Sequence, residues 1–281
     1  MSDTRYRQFR LINAVGEEYD MCHADHLFLS PDGLGFKRNI SAVQVGSAFA
    51  PVENNLAQQV IKGEMRFRSY EHYSEFEAFI ASGGLTLAYQ PKGYDVWYYR
   101  NVEVERLDKS EIDSRTRRLI CPVDFFCFSQ WYEKDTAKKT VDLSGENVTF
   151  PLVFPYVFSD AEKNELLITN GRVSPAPCKI IIVGPCVNPA WTLKQNGKTI
   201  LTGAMTLCIA SGEKLIVDAN IESMKIVKAV GSVETDVYQY SDFSTARFLY
   251  APAGISKVKF THTTAAALDI TVEVRQVSDT V

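Results

Sequence analysis

The sequence predicts a mainly β protein in two parts: an N-terminal β-rich domain with one small helix, and a C-terminal β-sandwich. Three observations lead to this prediction. Short runs rich in β-branched and aromatic residues dominate the chain, and several alternate apolar with polar residues. One stretch, 69–84, follows helical spacing instead. A polar stretch, 133–147, separates the two halves and is typical of a connector.

The first half is predicted to hold four strands and the helix. The strands are 60–68, 85–89, 96–107 and 118–128. The helix, SYEHYSEFEAFIASGG, places its apolar residues on one face: Tyr73, Phe76, Phe79 and Ile80. Ser69 is suited to cap its N-terminus. Gly83 and Gly84 are suited to end it, because glycine readily adopts the left-handed conformation that stops a helix.

The second half is predicted to be all β. Its expected strands are 164–169, 178–184, 190–195, 198–202, 214–218, 223–228, 246–250, 256–261 and 268–275. Asn196-Gly197 between two of them predicts a tight hairpin turn with positive φ at both residues. Many short strands joined by frequent turns favour a sandwich or a jelly roll.

Composition excludes several classes of function. The chain has 281 residues and a net charge of -4, so it lacks the basic field that would hold nucleic acid. We find no apolar run of the ~18 residues that span a bilayer, and no signal peptide at the N-terminus. The six cysteines are irregularly spaced, which favours free thiols over a disulfide framework.

The stretch 26–39, HLFLSPDGLGFKRN, combines glycines with cations and raises the possibility of a phosphate-binding loop. Gly33 and Gly35 match the start of a dinucleotide fingerprint, but the third glycine is missing and the following NISAVQVGSAF alternates like a strand. A structural turn is the stronger interpretation, since proline fixes φ and glycine accepts positive φ. Its candidate turn and packing residues are Phe28, Pro31, Gly33, Leu34, Gly35 and Phe36.

Two clusters are candidate chemical sites. Cys22, His23 and His26 offer soft ligands close together, but no second pair with matching spacing completes a zinc set. Glu103 and Glu105 would share a strand face, as paired acids of a glycosidase do, yet a solvated strand face has the same pattern. Gly-x-Ser-x-Gly and His-Glu-x-x-His are absent. We therefore predict no catalytic, metal or ligand-binding residues, no cofactor and no enzymatic activity.

Six segments resemble one known family. They are FLSPDGLGF (28–36), GLTLAYQP (84–91), WYYRNVEVERLDKSEI (97–112), LICPVDFFCFSQWY (119–132), NPAWTLKQNGK (188–198) and SDFSTARFLYAPAGISKVKF (241–260). In this order and spacing the chain resembles the distal tail proteins of long-tailed bacteriophages, from phages and prophages of Gram-positive bacteria. The resemblance extends from about residue 28 to about residue 275.

The resemblance implies an architecture and a role. It implies an N-terminal ring-forming domain (1–132), a linker (133–147) and a C-terminal galectin-like β-sandwich (148–281). Family members form a six-copy ring at the tip of the tail tube. The implied partners are further copies of the chain, the tube protein, the tail-tip protein and receptor-binding or peripheral baseplate proteins, without a membrane or sequence-specific nucleic acid.

The resemblance also implies a location, and one other function stays open. The protein would be made and assembled in the bacterial cytoplasm and would end in the virion. The open alternative is a carbohydrate-binding module that recognises host cell-wall polysaccharide through the C-terminal sandwich, with Trp191 as the candidate stacking residue.

Overall fold

The computed structural model describes residues 6–141, 165–263 and 268–278. The chain divides into two compact units: the first contains residues up to Glu133 together with Val277–Val281, and the second contains Lys134–Gln276. Strands dominate both units, and the described ranges contain a single α-helix. The predicted mainly β fold with one small helix is therefore confirmed. No helix in these ranges is long and apolar enough to cross a bilayer.

The first unit is built from strands and one helix, α1. The elements are β1 (Gln8–Ile12), β2 (Glu18–Asp20), β3 (His26–Asp32), β4 (Arg38–Val45), β5 (Ala48–Leu56), β6 (Val60–Phe67), α1 (Tyr70–Ile80), β7 (Leu85–Gln90), β8 (Tyr98–Leu107), β9 (Leu119–Cys127) and β10 (Trp131–Val141). All four predicted strands of this half are present. The sequence prediction missed β1, β2, β3, β5 and β10, and only the alternation in NISAVQVGSAF pointed to β4.

Seven strands of this unit form one antiparallel sheet in the order β2-β1-β7-β8-β9-β6-β3. Strand β10 begins beside β8, where Tyr132 pairs with Tyr99. Every second residue of β9 from Leu119 to Cys127 is buried, so one face of the strand points into the core. The division between the units falls within β10, so residues 133–141 of the expected linker lie in a strand, and 142–147 lie outside the described residues.

Helix α1 has the caps and the buried face that its sequence predicts. Ser69 is the N-cap and its Oγ accepts a hydrogen bond from the backbone N–H of His72 (3.4 Å). Tyr73 and Phe76 are buried against Phe67, with ring centroids 5.6 and 5.5 Å apart. After the helix, Gly83 and Gly84 have φ of 65° and 61°, the left-handed conformation expected of a stop signal.

Strands β4 and β5 form a separate two-stranded sheet. Their register runs from Arg38 opposite Leu56 to Val45 opposite Ala48, with a bulge after Ser41. Gly46 has φ of 65° at the tip. Every residue of both strands is exposed, so this hairpin, residues 38–56, contributes nothing to the core of the unit.

The second unit contains two larger sheets. Its elements are β11 (Glu165–Asn170), β12 (Ala176–Val183), β13 (Cys186–Val187), β14 (Ala190–Gln195), β15 (Lys198–Ala204), β16 (Cys208–Ile209), β17 (Lys214–Asp218), β18 (Lys225–Val230), β19 (Val233–Asp236), a 3₁₀ turn (Tyr238–Tyr240), β20 (Tyr250–Ala251), β21 (Gly254–Thr261) and β22 (Leu268–Ser278). Of the expected strands, 246–250 is wrong for its first four residues. Only Tyr250 of that range lies in a strand, the two-residue β20.

The two sheets of this unit form a sandwich. One has the order β19-β18-β17-β12-β22-β10, and the other β11-β21-β14-β15. Alternate residues of β12 and β21 are buried, and the inward residues of both sheets form a single apolar cluster that includes Ile180, Trp191 and Phe260. Asn196 and Gly197 have φ of 52° and 76°, as the predicted tight turn requires.

The six cysteines carry free thiols, as their spacing predicts. Four are buried: Cys121, Cys127, Cys178 and Cys186. Burial raises the pKa of Cys178 to about 12 and that of Cys186 to about 11, so both thiols stay protonated at neutral pH.

The N-cap of α1 gives a test of the fold. We expect Ser69→Ala to lower the free energy of unfolding by about 1 kcal/mol, because the first turn of the helix loses a side-chain acceptor. Ser74→Ala, at an exposed position inside the same helix, is the matched control and should change that free energy by less than about 0.5 kcal/mol. Urea unfolding of both variants measures the difference; equal values would show that the cap is not stabilising.

Candidate functional site

The predicted turn residues lead from the core of the first unit into the hairpin. Phe28 lies in β3 and is 1% exposed; its ring contacts Phe9 and Phe125 edge-on, with centroids 5.0 and 5.8 Å apart. It also packs over Gly63, where a Cβ would lie 2.6 Å from the Cζ of the Phe28 ring. Phe28 therefore anchors the start of the segment.

The end of β3 is irregular. Ser30 has φ of 49°, an uncommon value for a residue with a Cβ, and the pairing with β6 shifts between Leu29 and Asp32. Pro31 lies within this irregular stretch, where a strand tolerates the missing N–H. Gly33 has φ of 86°, and a Cβ there would lie 2.5 Å from the carbonyl oxygen of Val60. Gly33 is thus constrained both by backbone conformation and by space.

The last three turn residues differ from one another. Leu34 packs against the core, and its carbonyl oxygen accepts a hydrogen bond from Trp131 Nε1 (3.0 Å). Gly35 has no positive φ, and a Cβ there would meet nothing within 4 Å. Phe36 is 54% exposed and lies under the Arg38 guanidinium, 5.7 Å from its ring centroid. Phe36 is therefore a surface residue at the root of the hairpin, not part of the core.

Backbone and side-chain hydrogen bonds hold the root of the hairpin. Ala57 N–H donates to the carbonyl of Lys37 (2.8 Å), and Gln59 Nε2 donates to the carbonyl of Gly35 (2.9 Å). Arg38 Nη1 donates to Asn54 Oδ1 across the two strands (3.3 Å). The base of the hairpin is thus tied to the unit, although the strands themselves cover no core.

The hairpin carries an unusual amount of exposed apolar surface. Ile40, Ala42 and Phe49 lie on one face, and Val43 and Val45 on the other. The large exposed side chains are Ile40 (69%), Val43 (56%), Val45 (64%), Phe49 (70%), Val52 (66%) and Leu56 (43%). Its strands contain two charged residues, Arg38 and Glu53.

Both long edges of the hairpin are also without a strand partner among the described residues. Exposed apolar edges of this kind recruit another chain. The hairpin is therefore the strongest candidate for a functional surface in the first unit. In the sequence, only the alternation of NISAVQVGSAF pointed to it, and alternation does not reveal that both faces are exposed.

The candidate metal residues lie near one another but engage other groups. Cys22 Sγ accepts from the N–H of Phe9 (3.2 Å), and His23 Nδ1 lies 3.4 Å from the Asp25 carboxylate. His26 lies 5.1 Å from His23, ring centroid to centroid. In the described ranges, no group of three or more His, Cys, Asp or Glu side chains is arranged to hold a metal.

Burial makes His26 sensitive to pH. Its Nδ1 is buried without a hydrogen-bond partner in the part of the chain that the structure describes. Burial, reinforced by the neighbouring His23 and His72, lowers the pKa of His26, whereas Asp20 opposes the shift.

The two candidate carboxylates, Glu103 and Glu105, line the same open cavity but make different contacts. Glu103 Oε1 accepts a hydrogen bond from the backbone N–H of Gly84 (2.6 Å) and so secures the turn after α1. Glu105 lies at a bulge between β8 and β9, where the pairing shifts between Val104 and Arg106, and it is exposed. Glu103 thus has a structural partner, and the bulge removes the simple alternation on which the pairing of the two acids was based.

Trp191, the candidate sugar-stacking residue, lies in the core of the second unit. It is 1% exposed and packs against Gly203, where a Cβ would also lie 2.5 Å from the carbonyl oxygen of Ala246. Its ring is therefore inaccessible to a ligand at the surface.

Comparisons with known proteins identify the class of the molecule. The family model described as the N-terminal domain of the distal tail protein matches residues 8–128. A chain of the phage P2 baseplate in its activated conformation with calcium has a similar fold, with a TM-score of 0.69, 13% identity and coverage of 98% of this chain and 100% of that one. A chain of the same baseplate with strontium has a TM-score of 0.69 and 12% identity, with coverage of 98% of this chain and 100% of that one.

A second phage protein has the same fold. The SPP1 Dit protein (gp 19.1), a hub of the adsorption apparatus of phages that infect Gram-positive bacteria, gives a TM-score of 0.55 at 8% identity, with 95% and 98% of the two chains covered. A comparison with curated protein sequences returns no match.

The first unit therefore has the fold and family signature of a phage tail and baseplate component. The match of residues 8–128 to the N-terminal domain of the distal tail protein confirms the resemblance predicted from the sequence. At their low identity, the solved structures add that nearly the whole chain has the fold of baseplate hub proteins.

The turn gives a sharp stability test. We expect Gly33→Ala to lower the free energy of unfolding by about 1–3 kcal/mol, because a Cβ at φ of 86° is strained and collides with the Val60 carbonyl. Gly35→Ala is the matched control two residues away, with open space around its Cβ, and should change stability little. Chemical unfolding of both variants decides; equal losses would contradict this account of the turn.

His26 predicts a pH dependence of stability. Its folded pKa lies below the unfolded value, so its contribution is complete above about pH 6.5 and is lost as pH falls from there through the lowered folded pKa. We expect the thermal unfolding midpoint to fall between pH 7.5 and pH 5, and to fall less in His26→Gln.

His262 in the second unit is the control for this experiment, because burial lowers its pKa as well. In His262→Gln, the fall of the thermal unfolding midpoint that His26 causes between pH 7.5 and pH 5 should remain. A His26→Gln protein with the full wild-type slope would exclude His26 as its source.

Proposed function

We propose that this protein is a structural component of the phage tail that forms a ring at the distal end of the tail tube. In this proposal six copies close the ring, which links the tube to the tail-tip protein and to the host-adsorption apparatus. The hairpin 38–56 carries the proposal, because it exposes a long apolar surface that the described part of the chain does not cover.

An isolated hairpin with exposed apolar side chains is energetically unfavourable in water. A two-stranded sheet is marginally stable by itself, and this one packs against no core. Burying a Val, Ile, Leu or Phe side chain contributes roughly 1.5–3 kcal/mol, so covering the six large side chains of the hairpin would contribute roughly 10 kcal/mol before the cost of association. A second protein surface is the natural source of that burial.

The shape of the feature favours a head-to-tail contact. In this proposal the hairpin of one copy fits a different surface on the next copy, which makes the interface heterologous. Heterologous contacts close into rings when the rotation between copies divides a full turn. The family of residues 8–128 and the fold shared with baseplate proteins support a ring at a tail tip.

The proposal assigns a separate role to each of three parts of the chain. Residues 1–132 would form the ring, residues 133–147 would link, and residues 148–281 would form the galectin-like sandwich that faces peripheral partners. Those partners would be the tube protein, the tail-tip protein and receptor-binding or peripheral baseplate proteins. The protein would be made in the cytoplasm of the bacterial host and function in the virion.

The carbohydrate-binding alternative has less support. The aromatic residue on which it rested, Trp191, is buried. Stacking on a sugar requires an accessible aromatic face, so this residue cannot supply it.

Oligomeric mass tests the ring. Light scattering after size exclusion should give about 190 kDa for the full chain, which is six times 31.5 kDa. Ile40→Ser combined with Phe49→Ser removes two large apolar groups from one face of the hairpin and should shift the protein toward 31.5 kDa. The dissociated variant should still unfold in a cooperative transition, because both side chains are exposed in the single chain.

The control substitution lies in the second unit. Ile221→Ser removes a side chain that is 84% exposed and should leave the mass unchanged. A wild-type protein that stays monomeric at high concentration, or a hairpin variant that keeps the full mass, would contradict the proposal.

A further inference from the structure

Arg100 is a buried cation with few partners. Arg100 is 5% exposed, and its Nε donates to the carbonyl oxygen of Ser129 (2.7 Å). The guanidinium lies over the Trp131 ring, 5.5 Å from the centroid. Nη1 is buried and has no hydrogen-bond partner among the described residues. Of the five N–H donors of the guanidinium, Nε–H therefore has an acceptor and the two on Nη1 have none among the described residues.

Arg100 lines a half-open cavity of about 240 Å³ at the root of the hairpin. The apolar part of the lining comes from Phe36, Leu56 and Phe128, and the uncharged polar part includes Gln58, Gln59 and Ser129. A water molecule takes about 30 Å³, so the space exceeds what one or two waters bound to the guanidinium would fill. The cavity can hold a small organic group.

The lining provides no negative charge for this cation. Arg100 is the one charged residue among the described residues that line the cavity. Burial lowers the pKa of Arg100, and among the described residues Cys127 acts in the opposite direction. Burial in turn raises the pKa of the Cys127 thiol, so Cys127 is uncharged at neutral pH. A buried guanidinium without a counter-ion is strongly unfavourable, because arginine stays protonated.

We propose that this cavity is a carboxylate-binding site in which the free N–H groups of Arg100 take up the two oxygens of the ligand. Guanidinium and carboxylate match in planar, two-pronged geometry. One cation in the lining balances a single negative charge, which favours a carboxylate over a doubly charged phosphate. The apolar side chains at the cavity suit the short carbon chain that carries the carboxylate.

The same chemistry could come from two sources. A free carboxylic acid would enter as a small ligand. An Asp, Glu or C-terminal carboxylate of another protein chain would enter as part of an assembly, since the cavity opens beside the root of the hairpin. The experiment is designed to separate these sources.

Trp131 provides a built-in signal, because its ring contacts the Arg100 guanidinium. The full-length protein is titrated at constant ionic strength with butyrate, with acetyl-Gly-Glu-Gly-amide, with the matching Gln peptide and with phosphate, and tryptophan fluorescence is recorded. We expect a saturable change with a carboxylate and none with the Gln peptide. Trp131→Phe should remove the change and so assign it to this site.

Substitutions of Arg100 test its role. Arg100→Met should weaken carboxylate binding about ten-fold or more, as expected when a charge-assisted hydrogen bond is lost. Arg115→Met removes an exposed cation of the same unit and is the matched control. If Arg100→Met does not fold, Arg100→Lys tests the site instead, because lysine keeps the charge but loses the two-pronged geometry. Weaker carboxylate binding by Arg100→Lys supports the site, and unchanged affinity overturns it.

Each outcome of the titrations has one meaning. Arg100-dependent binding of butyrate supports a free acid as the ligand, and Arg100-dependent binding of the Glu peptide alone supports a carboxylate carried by a protein chain. Equal affinity for phosphate overturns the assignment to carboxylates. Binding that does not depend on Arg100, or the absence of any saturable change, overturns the site itself.

Discussion

The packing of Phe28 over Gly63 is the contact on which the first unit depends. The Phe28 ring lies between Phe9 and Phe125 and occupies the space that a side chain on the neighbouring strand would need. This contact fixes β3 on β6 and joins three parts of the sheet in one aromatic group. The irregular backbone of the turn therefore begins only after the chain has been anchored, and Gly33 lets it pass the backbone of β6 closely. The position of the hairpin follows from that anchor.

The hairpin and the cavity share one origin. Because β3 ends in an irregular turn, the chain leaves the sheet through Leu34 and Phe36 and returns at Leu56, which creates a gap between the hairpin root and the loop that follows β9. The Trp131 indole donates to the Leu34 carbonyl, and the Arg100 guanidinium lies over the same indole. The segment that presents the apolar surface thus also forms part of the wall of the cavity with the unpaired cation.

The sequence predicts well what local physics determines. Helix α1 was predictable from Ser69 to Gly84 because its cap, apolar face and stop are all within one segment, and the Asn196-Gly197 turn depends on two residues. The exposure of the hairpin was not predictable, because alternation in 39–49 has the same form whether the strand covers a core or projects into water. Arg100 was also missed, since the absence of a carboxylate partner is a property of three-dimensional surroundings and leaves no pattern in the chain.

The two unfavourable features of the first unit lie next to each other, and this argues for a functional surface. Elsewhere in the unit, aromatic rings pack closely and backbone groups pair in an antiparallel sheet. At the hairpin root, by contrast, large apolar side chains are exposed to water and the Arg100 guanidinium is buried. Each arrangement costs free energy in the isolated chain, and natural sequences keep such local conflicts where binding relieves them. A neighbouring copy would bury the apolar side chains of the hairpin, and a carboxylate would pair with the Arg100 guanidinium. Both features are therefore best explained if the chain functions within a larger assembly.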